Sequence, residues 1–113
     1  MARIPKRLCH TPVDSTVETV YTVPAATKTI IRHIHVSNPS GSIATLTLSI
    51  GADAAATRFY DGFRIPAAGA GVTGSVVDWY GYYVLEAAEI VQADSDTDDI
   101  LILTMNGDEI VLG

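Results

Sequence analysis

Disulfide-forming cysteine, long apolar runs and basic residues in the second half are all scarce in this sequence, and each shortage excludes a class of explanation. Cys9 is the only cysteine, so no internal disulfide framework can staple the chain. A lone thiol suits a protein made in a reducing cytoplasm and reads as a small apolar residue. No apolar stretch approaches the ~20 residues that carry a helix across a bilayer. The stretch from Met1 to Arg7 is charged but has no apolar segment behind it, so it does not read as a signal peptide. A Gly-rich phosphate loop, a nucleophile elbow and a zinc-protease pattern are all missing. Asp61 and Asp78 could face each other in a fold, but nothing in their setting marks an acid–base pair. The expectation is therefore a protein that is not an enzyme, with no cofactor and no small-molecule substrate.

Charge is unevenly spread. Seven bases stand against four acids up to Arg64, and nine acids against no base after it. Three of the bases, Arg3, Lys6 and Arg7, fall in the first seven positions. A cationic arm and an acidic body could complement each other between neighbouring copies; the plainer alternative is a solvated arm. Nucleic-acid binding is not expected of a chain with net charge -6 whose bases form no aromatic-interleaved patch.

What is abundant is Val, Ile, Thr and Tyr, within a hydrophobic share of 48%. That composition suits pleated, half-buried surfaces. Residues 1–12, with Pro5 and Pro12 around a basic stretch, show no period and read as an extended N-terminal arm, ordered only where it touches something. Residues 13–113 read as one domain. Strands are expected at 17–23, 29–37, 45–50, 58–65, 72–78, 80–85, 89–93, 100–105 and 109–112. Leu46, Leu48 and Ile50 alternate with hydroxyls and should face inward, and Ile30, Ile34 and Val36 should share a face. Asn38-Pro39-Ser40-Gly41 is a turn sequence, 51–57 is a small-residue loop with room for one helical turn, and 67–71 is a flexible connection. Asn106-Gly107 predicts a type I′ hairpin. No window supports a long helix. The fold class is all-β: a single β-sandwich or jelly roll of about eight short strands.

Three places have residues with chemistry. His33 and His35, two apart on a strand, point to one face and could both reach a metal, but no third ligand is placed by local spacing. The alternative is two polar residues on a solvent- or subunit-facing surface. Asp94, Asp96 and Asp98 lie at the alternate positions of a calcium loop. The EF-hand pattern then fails, with Asp99 where Gly belongs and Met105 where Glu belongs, which leaves a weak cation site or a solvated turn. Trp79, Tyr80, Tyr82 and Tyr83 form the densest aromatic cluster, suited to an interface or a sugar platform. Alternation puts Tyr80 and Tyr82 on one face and Tyr83 on the other.

Several segments taken in series resemble a known family. They are Lys6-Arg7-Leu8, residues 20–24 (VYTVP), 29–38 (TIIRHIHVSN), 60–66 (YDGFRIP), 83–89 (YVLEAAE) and 106–110 (NGDEI). Together they resemble small virion proteins of tailed bacteriophages, described as head decoration, neck or minor tail proteins. The likeness runs from about Lys6 to Val111 and departs at Ala88, where Gly is expected. It implies a structural component of the virion, made in the host cytoplasm, with the major capsid protein or other virion proteins as partners. There is no catalytic set to carry over. An arm that adds a strand to a neighbour's sheet, and a trimer or closed ring, fit such a role. The expected interface residues are Arg3, Lys6, Arg7, Trp79, Tyr80 and Tyr82. A carbohydrate- or cell-surface-binding module built on the Trp79–Tyr83 cluster is the alternative from another class.

Overall fold

The computed structural model describes residues 2–67, 75–98 and 100–112. Its strands are β1 (Ala2–Pro12), β2 (Glu18–Thr22), β3 (Thr27–Ser37), β4 (Ala44–Ile50), β5 (Arg58–Ile65), β6 (Val76–Leu85), β7 (Ile90–Ser95) and β8 (Ile102–Val111). A single 3-10 turn at Ala55–Thr57 occupies the small-residue loop. Strand β1 pairs with β8, β2 with β7, β3 with β6 and β4 with β5, all antiparallel. Contacts of β3 with β8 and of β4 with β7 complete two sheets, ordered β1-β8-β3-β6 and β2-β7-β4-β5. A double ribbon folded over on itself in this way is a jelly roll. The chain is thus all-β, as its composition and turn spacing imply.

The core lies between the sheets. Leu46, Leu48, Val91 and Ala93 from one sheet meet Ile31, Ile34, Val36, Leu103 and Met105 from the other. Alternation predicts the inward set of β4 correctly. In β3 it fails at one point: the pairing register shifts between Ile31 and His33, so Ile31 joins the core cluster with Ile34, whereas Ile30, although buried, does not. A bulge adds one residue and moves everything before it to the other face.

Three further expectations need correction. Residues 2–12 are an edge strand laid along β8, not a segment standing clear of the sandwich. Asn106-Gly107 makes no hairpin; it lies within the continuous strand β8. A Cβ on Gly107 would sit 1.9 Å from the Ile30 carbonyl oxygen, so the glycine allows a close backbone approach at the bulge rather than a turn. Residues 80–85 do not form a separate strand, because β6 runs through Trp79, Tyr80 and Gly81 unbroken. Gly81 makes room for the Trp79 indole, 2.3 Å from where its Cβ would be. Residues 72–74 of the expected strand 72–78, and 68–71 of the expected connection 67–71, lie outside the described residues. Ala88, where the family resemblance expects Gly, has φ 70°, a conformation glycine adopts without steric cost.

Candidate functional site

Sheet β1-β8-β3-β6 turns one face to the core and one outward, and its ladder gathers the polar chemistry on the outward face. With Ile34 and Val36 inward, His33 and His35 project outward from β3. The register sets Asp78 of β6 opposite His35 and Tyr80 opposite His33. Asp78 Oδ1 lies 2.7 Å from His33 Nε2 and 2.7 Å from His35 Nδ1. These hydrogen bonds, that of His33 first, hold the Asp78 carboxyl below the usual carboxylate range. The Tyr80 ring stacks on the His33 imidazole, centroids 4.5 Å apart, and the Asn106 side-chain amide lies 3.0 Å from His33 Nδ1. Sequence spacing showed two of these donors and missed Asp78, which lies on another strand. Asp61 is not its partner: Asp61 meets the Arg58 guanidinium on β5. His10 of β1 also lies on this level of the sheet, its Nδ1 2.8 Å from Thr104 Oγ1.

The basic N-terminal residues meet the acidic residues within the same chain. Because β1 runs antiparallel to β8, Arg3 reaches Asp108 at 2.7 Å and Lys6 reaches Glu109 at 3.2 Å. Arg32 adds a second guanidinium to Asp108 at 2.9 Å and lies over the Tyr82 ring. Arg3 first and Arg32 second depress the Asp108 pKa. Glu109, on the core side, also accepts the Tyr21 hydroxyl proton, and Tyr21 meets buried Thr29; burial, then Glu109, raises the Tyr21 pKa. Among the described residues Arg7 makes no ion pair. Burial likewise pushes the Cys9 thiol up to about 11, leaving it protonated at neutral pH.

The aromatic cluster divides by face. Trp79 turns inward and packs edge-on against Phe59 of β5 at 5.1 Å, and Phe59 in turn meets Tyr60 and Tyr83. These rings pack between β5, at the edge of one sheet, and β6, at the edge of the other. Tyr80 and Tyr82 point outward and are 74% and 62% exposed. The alternating aspartates separate into individual tasks. Asp96 Oδ1 accepts the Thr45 backbone N–H at 2.9 Å, and Asp98 Oδ1 accepts that of Ser15 at 2.6 Å. The Thr45 N–H chiefly lowers Asp96, and Ser15, its side chain first and its N–H second, lowers Asp98, whereas burial, with the nearby Asp53 charge second, raises Asp94. Asp99 of the calcium-like run lies outside the described residues. Among the described residues these aspartates form no convergent ligand group; His33, His35 and Asp78 do.

No family model matches the chain, and no curated protein does either. A solved structure described as a pentameric capsid protein isolated from metagenomic phage sequences aligns with 95% of this chain at 18% identity and a TM-score of 0.37. The chain spans 59% of that protein's length. So loose a superposition carries no statement about role.

Proposed function

We propose that this chain is a structural component of a tailed-phage virion, a decoration or cement protein that binds the outside of the assembled capsid. The observation that carries the reading is the outer border of β6. Val76, Tyr80, Tyr82, Tyr83 and Val84 are all between 41% and 74% exposed along one edge strand. Aromatic side chains of this kind bury large area at low entropic cost and keep a polar tip, and an open strand edge adds backbone pairing. The segments that resemble virion proteins supply the class of partner: the major capsid protein or another virion protein. Copies of the chain associate on the particle as trimers or rings, the usual closed forms. A neck, collar or minor tail position uses the same surface at lower copy number.

Quantitative mass spectrometry of purified particles tests the reading. About one chain per capsid subunit, or per few, is the expected ratio. A ring or two per particle moves the protein to the neck or tail, and absence from particles overturns the virion role. The Tyr80→Ser/Tyr82→Ser variant should lose occupancy on particles; full occupancy would remove β6 from the interface.

A further inference from the structure

We propose that His33, His35 and Asp78 form a binding site for a zinc-type divalent cation on the outer face of the jelly roll, independent of any virion role. The three ligand atoms lie within 4.8 Å of one another. Both imidazole nitrogens point at the same carboxylate oxygen, each 2.7 Å away, so the protons of these two hydrogen bonds lie where a cation would bind. Tetrahedral coordination at about 2.0–2.1 Å sets ligand atoms roughly 3.3 Å apart. Each His–Asp78 separation then widens by about 0.6 Å, which side-chain rotation supplies without moving β3 or β6. Two imidazoles and one carboxylate suit zinc, copper or nickel, and not the all-oxygen preference of calcium and magnesium.

Support for the ligands is in place as well. Tyr80 stacks on one face of His33, and Asn106 meets its Nδ1. With the cation on Nε2, the Nδ1 proton is donated to the Asn106 side-chain oxygen, the amide turned over to present it. The three side chains are 23–35% exposed, so the fourth coordination position opens to water. The cross-strand ladder fixes the arrangement: a one-residue slip of β6 against β3 would turn Asp78 to the core side.

Titration of the purified full chain with Zn2+, followed calorimetrically, and with Co2+, followed by visible absorption, tests the site. One saturable ion per chain is expected, with the strong visible band of four-coordinate Co2+ and a melting temperature that rises with Zn2+. His35→Ala and Asp78→Ala should each weaken binding by at least about tenfold, and Asn106→Ala by about tenfold. His10→Ala, on the same face but two strands from His35, should bind as wild type. Asp78→Asn keeps the shape of the site and serves if the alanine variant does not fold. Absence of saturable Zn2+ binding below millimolar concentration overturns the proposal. So does undiminished binding in the His35→Ala/Asp78→Ala double variant.

Discussion

The two edges of sheet β1-β8-β3-β6 are built on opposite principles. β1 carries Pro5 and Pro12, which have no N–H to offer a further strand, and Arg3, Lys6 and Arg7 along its length. Proline and positive charge are the devices that keep an edge from pairing with another chain. β6 has neither; its border is tyrosine and valine. One sheet therefore has a closed edge and an open edge, and the difference concerns what each can touch rather than how each folds. β1 belongs to the fold's internal account: Leu8 is buried, and Arg3 and Lys6 neutralise Asp108 and Glu109. β6 fixes its inward side with Trp79, and among the described residues no strand pairs with its outer edge.

Removing the closed edge should have the largest effect. A variant lacking residues 2–12 strips the β8 ladder, uncovers the surface under Leu8 and leaves Glu109 without its lysine. Destabilisation of at least about 2–3 kcal/mol is expected from the apolar term and the ion partners together, with aggregation through bare β8. Urea unfolding checks it; a truncated chain of unchanged midpoint would show that β1 is an accessory arm after all.

A smaller effect follows from acid. The folded-state pKa of Asp108 is depressed by Arg3 and Arg32, so its contribution is fully present above the unfolded carboxylate value of about 3.9. It is lost as pH falls through the folded value. Both guanidiniums are about half exposed, which limits the pair to roughly 0.5–1 kcal/mol. The melting temperatures of wild type and Asp108→Asn should keep a constant gap from neutral pH down to about 4 and converge only below it; a gap unchanged in that acid range would mean the β1 edge is not held by this carboxylate. The smallest change belongs to the open edge. Tyr80→Ser/Tyr82→Ser should shift stability by no more than about 0.5 kcal/mol even where it removes the proposed docking. A large loss of stability would make these tyrosines part of the fold and weaken the contrast between the edges.

Much of the jelly roll was legible in the sequence because β7 and the first parts of β4 and β8 follow period-two burial, and turn residues separate the strands. What was not legible shares one cause: a local signal with two physical meanings. Proline and charge in residues 2–12 mark an unstructured arm or an edge strand, and only the need of β8 for a neighbour decides. Asn106-Gly107 marks a tight turn or a close backbone contact, and only Ile30, far away in sequence, distinguishes them. For the candidate site, spacing yields His33 and His35 but not Asp78, which lies 43 positions beyond His35; ladder register supplies it. The same register separates Tyr80 and Tyr82 from Trp79 as the sequence alternation implied.

The pairing of β1 with β8 also has a consequence in time. Arg3 and its partner Asp108 are 105 positions apart, so at ordinary synthesis rates the first strand waits about 5–20 s before its neighbour exists. Throughout that interval β1 is an exposed extended segment on a nascent chain, beside other nascent chains of the same kind. Pro5, Pro12 and the three cations then act as a holding device that discourages edge pairing until acidic β8 has been made. A contact that spans most of the sequence costs more loop-closure entropy to form than a local one, and the edge that is sealed in the finished molecule is the one most at risk while it is being made.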